Sequence, residues 1–438
     1  MSIFKACDIR GVYPDELDEP TAEAIGRVIG SELAGGNCVL GGDIRPSTPG
    51  LKDAVSRGLL AAGADVLDIG TVPTPVAYWA RRELDTRGVV IVTASHNPPR
   101  YNGIKFALGQ EPAMPEDVER VRRRVEETEF RAGSGRRTEP SVKAGYLDWL
   151  GRRFEGTGHG MCVLLDAGNG SASEWAPEAF RAADYEVHEL FCEPDGRFPN
   201  RSPNPTEPGA LVAAGEAVRR AGAGLGVCFD GDADRTVFLD ERGDYVPAEE
   251  ALILLAREAL TREPKAAIVY DLKSTRILPQ EIRRAGGRPV MERSGYSFIK
   301  RRLMQEDAAL GAEASGHFFF RELGGDDGIY AGLRMAELLA ASGKRFSELR
   351  ATIPPYFISE DIRIPCPAGD AEAVVGEVRR TFADRPQDHT DGVRVEFEGG
   401  WALCRASVTE PAVTVRVEGD SPERLAEIRR IFLDAVRD

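Results

Sequence analysis

The sequence predicts an α/β protein in which three similar α/β domains with mixed, largely parallel sheets are followed by a smaller C-terminal α+β domain, all around a central cleft. Three observations predict it. Apolar runs of about four to six residues ending in Gly/Asp clusters alternate with Ala/Leu/Arg stretches of helical period, the pattern of strands and helices wound around a parallel sheet. A strand pattern ending in Asp, with a serine soon after, occurs three times: Val39-Leu40-Gly41-Gly42-Asp43 with Ser47, Val163-Leu164-Leu165-Asp166 with Ser171, and Ala267-Ile268-Val269-Tyr270-Asp271 with Ser274. Copies roughly 100 to 125 residues apart correspond to domains of ordinary size, and their strand ends should face a common cleft. The last segment differs in kind, with strand patterns near 357–364, 393–398, 401–406 and 412–418 and helical patterns near 370–383 and 421–436.

Polar, Gly/Pro-bearing stretches at 131–142, at 241–247 and at Pro354-Pro355 mark the joints. The expected domains are 1–140, 141–243, 244–354 and 355–438. In the first, a charged helix is expected over 115–129; its Arg120-Val121-Arg122-Arg123-Arg124 run lies among Glu116, Glu119, Glu126 and Glu127, which reads as a solvated helix face and not as a nucleic-acid patch. In the last, Ser421 is a good N-cap, Pro422 suits the first helical turn, and Leu425, Ile428, Phe432 and Val436 form one apolar face.

Composition narrows the function classes. With 42% hydrophobic and 29% charged residues and no run of about 18 apolar residues, the chain offers no transmembrane helix or signal peptide, and a soluble cytoplasmic protein is expected. A formal charge of -15 disfavours nucleic acid or an anionic membrane as a partner, and no obligatory protein partner is evident. The seven cysteines are scattered without a C-x-x-C pair, so reduced thiols are expected, with neither a disulfide framework nor a zinc site.

The chemistry begins at Asp230-Gly231-Asp232-Ala233-Asp234-Arg235. Three carboxylates at alternate positions on a tight Gly/Ala backbone can converge on one hard cation, and Mg²⁺ held this way usually serves a substrate phosphate, which Arg235 can also contact. The spacing also fits the start of an EF-hand loop, with Glu241 at its twelfth position. Arg235 stands where that loop needs glycine, however, and the flanks 225–229 and 236–239 read as strands, which opposes it. Earlier, the strand pattern 88–92 ends in Thr93-Ala94-Ser95-His96-Asn97-Pro98, displaying Ser95 at a strand end as a nucleophile or phosphate carrier, or else as a capped turn. Lys105 follows on the neighbouring strand. Only eight of the 56 basic residues are lysines, yet Lys5, Lys105, Lys273 and Lys300 all lie in motif segments. A desolvated lysine can give up its proton where arginine cannot, which marks these lysines as candidates to titrate.

Phe4-Lys5-Ala6-Cys7-Asp8-Ile9-Arg10-Gly11, Thr93 to Pro98, Tyr101-Asn102-Gly103-Ile104-Lys105-Phe106, Asp230 to Arg235, Gly311-Ala312-Glu313-Ala314-Ser315-Gly316-His317 and Arg405-Ala406-Ser407-Val408-Thr409-Glu410-Pro411 occur in this order along the whole chain. In these motifs the sequence resembles the α-D-phosphohexomutases, and among them the phosphomannomutase/phosphoglucomutase branch. The resemblance implies that Ser95 is a phosphoserine when active, and that Asp230, Asp232 and Asp234 hold Mg²⁺ together with the Ser95 phosphate. It implies a phosphosugar substrate, with a hexose 1,6-bisphosphate as intermediate and activator. Arg10 and Arg235 become anion contacts, and Lys105 and His317 candidates to move the hydroxyl proton, Lys105 preferred. Glu313 and Ser315 would bind ring hydroxyls, and Arg405, Ser407 and Thr409 the far phosphate; Lys273 is a further substrate-binding candidate. Three positions depart from the family pattern: Cys7 stands where tyrosine is usual, Tyr296 where histidine is common, and Val408 where asparagine or glycine is expected. They bear on substrate preference and not on reaction class. A phosphoglucosamine mutase is the neighbouring alternative, and a catalytically silent sugar-phosphate-binding regulator is opposed by the intact Ser95 and aspartates.

Overall fold

In a computed structural model, which describes residues 3–367, 370–407 and 412–437, the apolar runs form four sheets. In the first, Asn37–Gly42 lies between two parallel neighbours, Asp65–Thr71 and Gly88–Val92, and Gly88–Val92 is paired in turn with the antiparallel Tyr101–Leu108. The second sheet repeats the scheme with Cys162–Asp166 between Glu186–Leu190 and Leu225–Phe229, followed by antiparallel Thr236–Leu239. The third does so with Ala267–Asp271 between Arg288–Glu292 and Leu310–Ala312, followed by antiparallel Phe318–Phe320. The sequence repeat is thus a topological repeat. The three antiparallel connections, residues 93–100, 230–235 and 313–317, occupy the same place in each domain, at the end of a strand parallel to the Asp-ended one.

Gly88–Val92, Leu225–Phe229 and Ala267–Asp271 are buried along their whole length, which explains why they read as unbroken apolar runs and not as alternating strands. Each Asp-ended strand stops in the same local turn. The Oδ1 of Asp43, Asp166 and Asp271 accepts the backbone N–H two residues on, from Arg45 (3.0 Å), Gly168 (2.8 Å) and Lys273 (3.1 Å).

The first three domains share one continuous core. The Tyr146 ring meets Trp79 of the first domain edge-on at 5.6 Å, and Trp149 stacks on Tyr330 of the third at 5.6 Å. The fourth sheet is antiparallel throughout and packs its own core of Val393, Val415, Val417, Ile428 and Phe432. Its last helix, Pro422–Arg437, buries Ile428, Phe432 and Val436 as the periodicity requires, and Ser421 Oγ accepts the Arg424 N–H at 3.1 Å. The strand expected over 357–364 is instead two pieces, Phe357–Ile358 and Ile362–Pro365, both paired with Ala412–Gly419. Ser359 interrupts it: its Oγ takes the Val417 N–H at 3.0 Å, so a side chain replaces the backbone in the ladder and one extra residue bulges out.

Leu272, Trp401 and Leu403 join the fourth domain to the third. Beside them the buried Glu418 accepts from Thr275 Oγ1 (2.7 Å), Arg276 N (2.9 Å) and Trp401 Nε1 (2.5 Å). The charged helix of the first domain, Pro115–Glu126, pairs Arg122 with Glu119 and Glu126, and Arg124 with Glu32. All seven cysteines are free thiols, and no helix among the described residues is long and apolar enough to cross a membrane.

Candidate active site

Ser95 stands at the end of the buried strand Gly88–Val92 with φ at +50°, a left-handed conformation that a residue with a Cβ adopts only under constraint. Its N–H donates to Thr93 Oγ1 at 2.9 Å, and its hydroxyl donates to Asp230 Oδ2 at 2.8 Å. Nearly all of the residue is buried, and His96 Nδ1 lies 3.2 Å from Oγ. Burial, reinforced by Arg235, Arg10 and Lys105, pushes the His96 imidazole well below its ordinary pKa, so this neighbour is neutral.

Asp230, Asp232 and Asp234 are buried, and their carboxylate oxygens lie within 4.8 Å of one another. One oxygen of Asp232 is well supplied: Oδ2 accepts from Thr74 Oγ1 (2.6 Å) and Lys105 Nζ (3.0 Å), and Thr93 Oγ1, whose proton points to the nearer Asp43, lies 3.1 Å away. Among the described residues, the buried Oδ1 atoms of Asp232 and Asp234 have no hydrogen-bond partner. Burial, followed by the repulsion of Asp234 and Asp232, pushes the Asp230 carboxyl well above the carboxylate range. Crowded carboxylates with bare, buried oxygens require positive charge, and an all-oxygen donor set suits Mg²⁺.

Lys105 bridges Asp232 and Asp234. Burial alone would lower its pKa, but the two carboxylates outweigh burial and raise it, so Lys105 is held as an ammonium cation and does not titrate near neutrality in this arrangement. Lys300 differs from it: burial pulls its pKa down to about 8, and its Nζ lies 3.7 Å from the centroid of the Tyr78 ring.

Arg235 and His317 meet across the second and third domains, where Arg235 Nε donates to His317 Nε2 at 2.8 Å and His317 Nδ1 lies 2.8 Å from Asp326 Oδ2. Arginine cannot accept, so Nε2 is the lone-pair nitrogen and Nδ1 carries the proton toward Asp326. Both ring nitrogens are engaged; here His317 holds Arg235 and leaves no lone pair open to a hydroxyl. Arg10 joins the same cluster through Asn97 Oδ1 at 2.7 Å and an ion pair with Asp8.

The remaining expected residues lie around this cluster. Glu313 accepts from the Gly295 N–H and from Ser315 Oγ (3.1 Å), and its N–H donates to the His317 carbonyl at 3.0 Å, which ties the 313–317 turn together. Lys273 pairs with Asp361 at 3.1 Å and Arg405 with Asp391 at 2.8 Å, both at the junction of third and fourth domains. No bond joins these two cations directly to the aspartate cluster among the described residues. The Ser407 N–H donates to the Ala412 carbonyl at 2.8 Å, while Thr409 and Val408 lie outside the described residues. The departures Cys7 and Tyr296 are neighbours: the Tyr296 hydroxyl donates to the Cys7 carbonyl at 3.0 Å, linking third and first domains, and its ring stacks on His317.

Sequence reasoning missed Thr74, Arg45, Asp326 and His96. Only His96, beside the serine, offered a local signal.

Comparison with known proteins finds the family "Phosphoglucomutase/phosphomannomutase" along the chain, as alpha/beta/alpha domains I, II and III over residues 1–132, 144–243 and 247–356 and as the C-terminal domain over 362–435. The chain is 37% identical over 443 aligned positions to a phosphomannomutase/phosphoglucomutase of Pseudomonas aeruginosa, covering 100% of this chain and 96% of that one. It is 36% identical to a phosphoglucomutase of Neisseria gonorrhoeae, covering 98% and 95%. A solved structure of a phosphoglucomutase/phosphomannomutase family protein from Burkholderia thailandensis superposes with a TM-score of 0.93 at 35% identity, covering 99% of this chain and 97% of that one.

Proposed function

This chain belongs to the phosphoglucomutase/phosphomannomutase family, and on that premise we propose that it interconverts hexose 1-phosphate and hexose 6-phosphate, of mannose and/or glucose, through a phosphoserine at Ser95 and a hexose 1,6-bisphosphate intermediate. One observation carries the proposal: the Ser95 hydroxyl, at the end of one domain's strand, lies 2.8 Å from the first of three buried aspartates at the equivalent strand end of the next domain. That proximity supports reading Ser95 as a covalent phosphate carrier beside a cation site, the pairing that transfer of a dianionic group needs.

The bare Oδ1 atoms of Asp232 and Asp234, with Asp230 and the Ser95 oxygen, fit Mg²⁺. When bound, the ion supplies positive charge against the phosphoryl oxygens. Arg10 and Arg235 add guanidinium charge beside them, and His317 keeps Arg235 in place with Asp326 behind it. Lys105 is the group that moves the hydroxyl proton: it is an ammonium while Asp232 and Asp234 serve it alone, and its proton is easier to release when the same two carboxylates also serve a cation through their other oxygens. Glu313 and Ser315 bind ring hydroxyls. Lys273, Arg405, Ser407 and Thr409 take the phosphate that is not being transferred, in either orientation of the bisphosphate.

Intact-mass analysis with peptide mapping is expected to find about 80 Da on the peptide containing Ser95, and Ser95→Ala is expected to be folded, unlabelled and without turnover. Near-parental turnover in Ser95→Ala refutes the phosphoserine. Comparing glucose 1-phosphate, mannose 1-phosphate and glucosamine 1-phosphate on one preparation identifies the sugar.

A further inference from the structure

The strand-end aspartates of the sequence repeat have no part in the chemistry above, yet each ends a strand hydrogen-bonded in parallel to the one that carries a functional turn. Gly42 is paired with Val92, Asp166 with Cys228 and Tyr270 with Ala312. In the first domain Asp43 Oδ2 accepts from Arg45 Nε (3.0 Å) and Thr93 Oγ1 (2.8 Å), while Oδ1 accepts from Thr48 Oγ1 (2.6 Å). Arg45 then spreads its fork under the serine turn. One terminal nitrogen donates to the carbonyls of Pro98 (2.7 Å) and Tyr101 (3.1 Å), the other to those of Ser95 (2.8 Å) and Asn97 (2.6 Å). All five N–H groups of this residue, 1% exposed, are spent, and its guanidinium lies 5.1 Å from the Phe198 ring centroid of the second domain.

The second domain repeats the device. Asp166 Oδ2 accepts from Arg201 Nε at 2.8 Å, and Arg201 donates at 2.7 Å to the carbonyl of Phe229, the residue before Asp230. In the third domain, among the described residues, Asp271 reaches its turn directly: its Oδ2 accepts from Ser294 Oγ at 3.3 Å and from the Ala314 N–H at 3.4 Å.

We propose that Asp43 and Arg45 are positioning residues for the phosphate-carrying serine: the guanidinium gathers four carbonyls of residues 95–101 around itself and so holds Ser95 in the left-handed conformation that aims Oγ at Asp230. The physical need is specific. A left-handed backbone is costly for any residue with a Cβ, glycine would remove the hydroxyl, and the carbonyl of the buried Ser95 would lose its donor without the guanidinium. Lysine cannot replace the fork, because an ammonium has three donors and no planar reach.

This proposal rests on the reading of Ser95 as the carrier, and the test separates the two. Arg45→Lys and the milder Asp43→Asn are compared with the parent for folding, for kcat and KM with hexose 1-phosphate at saturating Mg²⁺, and for amide exchange over residues 94–101. The expected result is folded protein with kcat lowered about 100-fold in Arg45→Lys, the order expected when a reacting group is displaced by about an ångström, and about tenfold in Asp43→Asn. KM should stay within about threefold, and exchange should quicken at the serine turn alone. A purely structural role predicts a smaller active fraction with unchanged kcat per phosphorylated Ser95, and that result overturns the proposal, as does folded Asp43→Asn with parental kcat and exchange. If Arg45→Lys does not fold, Asp43→Asn decides. Turnover in Ser95→Ala overturns both readings, whereas an inert Ser95→Ala beside a normal Asp43→Asn overturns the positioning role alone.

Discussion

Thr74→Val keeps the shape of a side chain buried at the start of the helix Thr74–Glu83 and deletes one oxygen. That oxygen donates to Asp232 Oδ2 at 2.6 Å, and the Thr74 backbone N–H donates to the Asp232 carbonyl at 2.9 Å, so this residue of the first domain grips the aspartate turn of the second twice. A hydrogen bond to a charged acceptor contributes about 1.5–3 kcal/mol, and losing a partner behind a metal ligand typically costs about 10- to 100-fold in metal affinity or activity. The charged donor Lys105 remains on the same oxygen, so the lower end applies. The expected change is about tenfold in the Mg²⁺ concentration for half-maximal activity, near 1.4 kcal/mol, with kcat recovered at saturating metal and KM for the sugar phosphate unchanged. The assay is an activation titration from chelator-treated enzyme. An activation constant within about twofold of the parent, accompanied only by a lower Tm, would show that Thr74 packs without orienting Asp232 and would refute the reasoning.

Two further outcomes test other parts of the molecule. Burial pushes the Asp327 carboxyl up to about 7, where it accepts from Tyr146 Oη (2.7 Å) and caps the helix Gly328–Ser342. A carboxyl whose pKa is raised by folding contributes stability that is full below the unfolded value near 4 and is lost as pH rises through about 7; Asp327→Asn, which keeps the cap, should therefore flatten the fall in Tm between about pH 5 and 8, and an unchanged slope argues against it. Glu418→Gln keeps the shape of the bridge between third and fourth domains but removes the charge from its bonds to Thr275, Arg276 and Trp401; urea denaturation should show a loss of about 1–3 kcal/mol, and a loss below about 0.5 kcal/mol contradicts the bridge.

The legible parts of the site were those that short-range patterns encode. Three carboxylates at alternate positions needed only a tight turn to converge, and the buried strands Leu225–Phe229 and Thr236–Leu239 on either side remove the helix-flanked calcium loop, as their composition indicated. Ser95 was legible because a strand pattern ended on it. The split at Ser359 was not, since a side chain entering the ladder depends on a partner strand nearly 60 residues away.

Periodicity and spacing in the chain determined the three α/β repeats with a smaller last domain, the strand-end repeat and the convergence of three carboxylates on one turn, because those depend on neighbours a few positions apart. Tertiary structure alone decided what state and duty each residue has. Lys105 is an ammonium in this arrangement because carboxylates 127 and 129 residues away close on it. His317 faces Arg235 and Asp326 with both nitrogens engaged, and Arg45 lies under a serine 50 residues downstream. Electrostatic energy and hydrogen bonding act through distance in space, and in a buried site that distance is set by how the sheets pack and not by position along the chain.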